Sequence, residues 1–287
     1  MYKACKSGKT KVVQLLLERC TSEESGLNIK DERGMTVLTV ACLNGHTDVV
    51  NLLLNHSERM QLNVKDYFER TAFMWACLKG HKDVVQLLLD HSERIDPNAR
   101  NNHGMTALMF ACKYGRKDVV QVFLDNSKRI QLNSRDNCGL TAFMSACLSG
   151  RKDVVKLLLD HLGLNIDLNA RNNGGLTAFM YACRYGHKDI VQLLLDHSER
   201  IDLNARKKFG DTALILACDN GHKDVVQLLL DHSETIDLNT RDDDGETAFM
   251  LACRNGRKDV VQLLLDHSDP TPIELNTRQD IGKTPFM

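Results

Sequence analysis

One register of residues recurs along almost the whole chain. Threonine returns at Thr36, Thr71, Thr106, Thr141, Thr177, Thr212, Thr247 and Thr284, in steps of 35, 35, 35, 36, 35, 35 and 37. Nine residues after the first seven of these stands a glycine: Gly45, Gly80, Gly115, Gly150, Gly186, Gly221 and Gly256. Eight residues before each stands an asparagine: Asn28, Asn63, Asn98, Asn133, Asn169, Asn204, Asn239 and Asn276. A period in the thirties marks a stack of small units in place of one closed globule.

The physics of one unit follows from its residues. Thr71 is a good N-cap, because its hydroxyl can accept from an orphan backbone N–H. A short helix is expected over Ala72 to Lys79, ended by Gly80, which takes the left-handed conformation cheaply. A second helix is expected from about Lys82 to His91. Val84, Val85, Leu87, Leu88 and Leu89 give it an apolar face wider than a surface helix needs. Ser92 to Arg100 leaves the helix, and Asn101-Asn102-His103-Gly104 reads as a tight turn. Such a pair cannot bury its own apolar face, so copies must stack, and the fold class expected is an all-α repeat solenoid with projecting β-turn hairpins. The array covers 1–287 as one domain: a partial first repeat over 1–27, seven full repeats over 28–269 and a partial last repeat over 270–287. Eight units about 8–10 Å apart would span roughly 70 Å.

Charge and composition narrow the function. Thirty-eight acidic residues against 37 basic ones leave a net charge of -1, without the global signature of a nucleic-acid binder. No apolar run reaches the length of a membrane span, and the opening segment from Met1 to Thr10 is polar and basic, unlike a signal peptide. Eight of the ten cysteines share one repeat position: Cys5, Cys42, Cys77, Cys112, Cys147, Cys183, Cys218 and Cys253. Helices about 8–10 Å apart hold such thiols beyond the roughly 7 Å Cα limit of a disulfide, so small buried thiols are expected. Cys20 and Cys138 lie off that register, and Cys138 falls in a turn. Reduced thiols place the chain in the cytoplasm, with the nucleus as the second compartment.

The histidines follow the repeat as well. Four come after the inter-helix glycine. Six close the second helix, at His56, His91, His161, His197, His232 and His267, where a partly positive ring would suit the helix dipole. None has metal-ligand spacing, and no metal or cofactor is expected. Gly8-Lys9-Thr10 and Gly282-Lys283-Thr284 end like a phosphate loop, but Lys3 and Thr277 stand where its first glycine belongs. Asn55-His56-Ser57 matches a glycosylation sequon and is read as a helix end. No nucleophile–base pair stands outside the repeat, so neither an enzyme nor a small-molecule site is expected.

These motifs resemble the ankyrin repeat. Thr106-Ala-Leu-Met-Phe-Ala111 and Thr212-Ala-Leu-Ile-Leu-Ala217 fall on its Thr-Pro-Leu-His-x-Ala signature. The Gly-His pair of the family occurs at Gly45-His46, Gly80-His81, Gly186-His187 and Gly221-His222. The chain departs in three ways. Alanine or valine replaces the proline of the signature until Pro285, its histidine is lost, and the period is two residues longer. The extra length falls between the second helix and the turn. The resemblance implies that the repeated asparagine holds the turn by side-chain hydrogen bonds. It also offers Asn133 and Asn239 as positions for an oxygen-dependent asparaginyl hydroxylase.

The resemblance further implies a concave groove, lined by the turn tips and the neighbouring helix face, that grips a protein partner. The copies vary most at those positions. The partner-binding candidates are Tyr67, Phe68, Lys79, His103, Lys113, Tyr114, Arg184, Tyr185, Phe209, Asp219 and Arg254. The exposed aromatics read either as anchors at an interface or as packing on the next turn. Trp75, Phe110 and Tyr181 occupy another position, filled elsewhere by Leu216 and Leu251, and are expected in the core, as are Met74, Met109, Met144, Met180 and Met250. The expected function is a scaffold or protein–protein interaction module. The alternative is a regulatory segment of a larger protein such as a ligase, kinase or channel, because neither end carries a polar capping repeat.

Overall fold

The computed structural model describes residues 1–19, 26–91, 93–267 and 273. Cys20, Ser92, Asn276, Gly282-Lys283-Thr284 and Pro285 lie outside the described residues, as does all of the partial last repeat except Ile273.

Among the described residues there are sixteen α-helices and no strand. In chain order they pair as α1 (Tyr2–Lys6) with α2 (Thr10–Arg19), α3 (Val37–Asn44) with α4 (Thr47–Leu54), and α5 (Ala72–Lys79) with α6 (Lys82–Asp90). Then follow α7 (Ala107–Lys113) with α8 (Lys117–Asp125), α9 (Ala142–Leu148) with α10 (Lys152–Asp160), and α11 (Ala178–Arg184) with α12 (Lys188–Leu195). The last pairs are α13 (Ala213–Asn220) with α14 (Lys223–Asp231) and α15 (Ala248–Arg254) with α16 (Lys258–Asp266). The chain forms two compact units, Met1–Asn137 with Leu157–Asn165, and Cys138–Lys156 with Ile166–Met287. In the first, α1, α3, α5 and α7 pack in series, with α2, α4, α6 and α8 in series beside them. In the second, α9, α11, α13 and α15 form one series, and α12, α14 and α16 another. Each unit is an all-α stack of solenoid type.

The repeated threonine starts each first helix. From Thr36 to Thr247 its hydroxyl accepts from the backbone N–H three residues on, with bonds such as 3.2 Å at Thr141 and 3.3 Å at Thr71. Each such cap contributes about 1 kcal/mol. The repeated glycine ends the helix in the left-handed region, with φ of 87° at Gly80. Its lack of a side chain also serves the next unit. A Cβ on Gly45 would come 2.5 Å from the His81 ring, and one on Gly221 would come 2.8 Å from Arg257.

That neighbouring side chain ties one repeat to the one before. His46 Nε2 lies 3.0 Å from the Lys6 carbonyl, His81 Nε2 3.1 Å from that of Leu43, and His222 Nε2 2.8 Å from that of Arg184. A carbonyl only accepts, so Nε2 carries the proton. Where arginine replaces histidine the tie persists. Arg116 Nε donates to the Leu78 carbonyl at 2.9 Å and Arg257 Nε to that of Asp219 at 2.9 Å.

The repeated asparagine corrects one implication of the resemblance. At Asn28, Asn63, Asn98, Asn169 and Asn204 the side chain bridges to the linker of the next repeat. Asn63 Nδ2 donates to the Arg94 carbonyl at 2.9 Å, and Asp96 N–H donates back to Asn63 Oδ1 at 3.1 Å. Asn28, Asn98, Asn169 and Asn204 bond in the same way, and Asn133 Nδ2 donates to the Asn165 carbonyl at 2.8 Å. Four of the linkers these bonds reach carry short 3-10 turns, at Ser57–Arg59, Ser127–Arg129, Leu162–Leu164 and Ser198–Arg200, where the period is longer than the family's.

The core is the inner faces of the pairs. Phe123, Phe143, Phe179 and Phe249 are fully buried, and Phe73 meets Phe123 edge to face at 5.7 Å. The five named methionines, Phe110, Tyr181, Leu216 and Leu251 are buried as expected. Trp75 is not. It is half-buried, because its indole N–H donates to the Asp66 carboxylate at 3.0 Å and holds the ring at the surface. Seven of the repeat cysteines are buried free thiols, while Cys253 is half-buried and Cys138 exposed. Burial pushes the Cys5 thiol up to about 11 and those of Cys42, Cys77, Cys112, Cys183 and Cys218 higher still, which makes them poor nucleophiles.

Candidate interaction face

The hairpin tips are held by their first residue. Asp66 Oδ1 accepts from the N–H of Phe68 at 2.9 Å and of Arg70 at 2.8 Å. Asp31, Asn101, Asn172 and Asp242 make the same two bonds. This is the local clasp that favours Asp and Asn in turns. The tips then join edge to edge. In the first unit Tyr67 N–H donates to the Arg33 carbonyl at 3.2 Å and Asn137 N–H to that of His103 at 3.0 Å. In the second, Lys208 N–H donates to the Gly174 carbonyl at 3.0 Å and Asp243 N–H to that of Phe209 at 3.1 Å. Basic side chains below them do the same within each unit: Lys65 Nζ donates to the Arg100 carbonyl in the first and Arg206 to that of Arg241 in the second, both at 2.9 Å.

The tip Lys207–Gly210 breaks this pattern. Lysine cannot accept a hydrogen bond, so the clasp is lost, and Lys207 pairs instead with the Asp211 carboxylate. Phe209 in this tip sits at φ 71°, in the left-handed region that side chains other than glycine rarely adopt. A bulky residue there costs on the order of 1–3 kcal/mol. The residue is nevertheless 74 % exposed.

The predicted aromatics stand in solvent. Tyr67 is 72 % exposed, Phe68 56 %, Tyr185 49 % and Tyr114 42 %. Each but Tyr67 has a cation near its ring: Arg70 at 4.4 Å from Phe68, Lys113 at 6.0 Å from Tyr114, Arg184 at 5.9 Å from Tyr185 and Lys207 at 5.8 Å from Phe209. Tyr185 also stacks on Tyr181 at 6.4 Å. In the first unit Tyr67, Phe68 and His103 lie on tips, while Lys79, Lys113 and Tyr114 lie exposed at the ends of α5 and α7. Arg70 is sandwiched between Phe68 and Trp75, whose centroid lies 4.0 Å away. Sequence reasoning had placed Trp75 in the core, and Arg70 carried no signal by itself.

In the second unit four predicted residues come together. Arg184, Phe209, Asp219 and Arg254 line one open cavity of about 350 Å3 between two tips and the helices α13 and α15. Ile215, Leu216 and Leu251 form its apolar floor. Lys207, Asp211, Asp242, Asp244 and Glu246 complete the wall, and sequence reasoning did not single them out. Five carboxylates thus meet three cations. Burial raises the Asp242 carboxyl above its usual range, and Asp211 and Asp244 push it further. Burial also raises Glu246, where Arg254 opposes the shift and Asp242 and Asp244 add to it. Arg254 pairs with Glu246, and Asn255 donates to Asp219 at 2.5 Å. Asp242 and Asp244 form no ion pair among the described residues.

Among the described residues no group of three His, Cys, Asp or Glu side chains is placed to hold a metal ion, and no helix is long and apolar enough to cross a membrane. The family model for ankyrin repeats (3 copies) matches residues 1–66, 56–136, 91–172, 128–207 and 199–279. No curated protein matches the chain.

Proposed function

Because this chain belongs to the ankyrin-repeat family, whose members are generally protein–protein interaction modules, we propose that it binds another protein through its hairpin tips and the exposed ends of its first helices. One observation carries the reading. Tyr67, Phe68, Tyr114, Tyr185 and Phe209 are large aromatic residues left 42–74 % exposed on the tips and helix ends. A large ring left in water contributes little to folding and much to binding, where tyrosines and arginines dominate hot spots. The cations beside four of the rings add charged contacts at the same places. The reading is non-catalytic and needs no cofactor. The repeated cysteine position, buried in seven repeats, suits the cytoplasm, where thiols stay reduced.

Proximity labelling with the whole chain identifies the partner, and a direct binding assay then compares wild type with single alanine variants at the five rings. At least one variant should lose about 2 kcal/mol of binding, roughly thirtyfold, with an unchanged melting temperature. Unchanged affinity in all five would remove the rings from the interface.

A further inference from the structure

The cavity of the second unit has a character of its own. It is an apolar-floored groove with an excess of carboxylates on its wall and one exposed ring at its lip. Its own cations are largely engaged: Lys207 pairs with Asp211, and Arg254 with Glu246. Asp242, Asp244 and Asp219, which accepts from Asn255, line the groove with a single further cation, Arg184. A cation that lies flat on an aromatic face while its charge reaches carboxylates gains from both, and a guanidinium does so best. The volume of about 350 Å3 is at the small end for ligand pockets, suited to one long side chain.

We propose that this groove takes one basic side chain, arginine or lysine, from an extended segment of the partner protein, its stem against Phe209 and its charge among Asp219, Asp242 and Asp244. The inference rests on the partner-binding reading above and adds the chemistry of the partner. An acidic or purely apolar segment would leave the excess carboxylates buried and uncompensated, which costs more than it gains.

The chain supplies its own controls. Asn101 and Asn172 hold the place of Asp242 in other hairpins and make the same clasp, so Asp242→Asn keeps the turn. Gly174 holds the place of Phe209, so Phe209→Gly suits the positive φ. The test selects a phage-displayed random dodecapeptide library on the whole chain. Enriched peptides are then measured by fluorescence polarisation against wild type, the Asp242→Asn/Asp244→Asn double variant, Phe209→Gly, and a Tyr67→Ala/Phe68→Ala control. The expected result is a recurring arginine or lysine. Its replacement by glutamine, or either groove variant, weakens binding about tenfold or more, and affinity falls as salt rises. Peptides that are acidic, lack a recurring base, or bind the groove variants as tightly as wild type would overturn the inference. If such peptides lose binding to the Tyr67→Ala/Phe68→Ala control, partner binding stands and the groove assignment falls. If no peptide is enriched at all, both fall.

Discussion

Lys207 shows how one side chain reshapes a turn. Five other tips open with Asp or Asn clasping two backbone N–H groups, and lysine has no acceptor to do so. We attribute the φ of 71° at Phe209 to that loss. Glu69 pays a similar strain at φ 56°, because it stands where the other tips carry glycine. Lys207→Asp should restore the clasp, return residue 209 to negative φ and raise stability by about 1 kcal/mol. Chemical denaturation measures the gain, and a crystal structure of the variant shows the turn. A stability equal to wild type, with residue 209 still left-handed, would refute the account. Phe209 itself was legible as an aromatic on a tip. Its strain was not, since that depends on what residue 207 cannot do.

At the scale of the helix pair, the repeated residues work between neighbours. The inter-helix glycine leaves room for the histidine or arginine of the next pair, and that side chain bonds the end of the previous first helix. Exchange within the set should be mild: His222→Arg is expected to shift stability by less than about 0.5 kcal/mol, as Arg116 and Arg257 do the same work. His222→Leu leaves the Arg184 carbonyl without its donor and should cost about 1 kcal/mol. Equal denaturation midpoints for the two variants would show that the bond contributes nothing. The histidines that close the second helices obey a related rule. His91, His161, His197 and His232 lie 2.8–3.0 Å through Nδ1 from the carbonyl four residues back. Asn126 makes that bond at 2.9 Å with an uncharged side chain, so the position can be filled without a positive charge.

For the whole molecule, stability in a stacked array is close to a sum over pairs and their shared interfaces. In the first unit α1 has five residues and packs on α2 and α3, whereas α5 has neighbours on both sides in α3 and α7. Hydrogen exchange should therefore release the amides of α1 before those of α5, in native conditions and at every pH of simple base-catalysed exchange. Uniform protection along the first unit would mean that it opens only as one body. The amino-acid sequence by itself determined the register, the helix caps, the buried thiols and the family. Each of these rests on contacts within one unit or on a period that every unit repeats, and both can be read along the chain. Tertiary structure alone decided which side chains 31 to 40 residues apart meet, such as Asn63 with Arg94 and His222 with Arg184. It also decided that Phe209, Asp219 and Asp242 share one groove and that Trp75 stays at the surface. The physical reason is that a partner in the next repeat leaves no mark on the local pattern: its position is set only when the apolar faces close and bring two turns side by side.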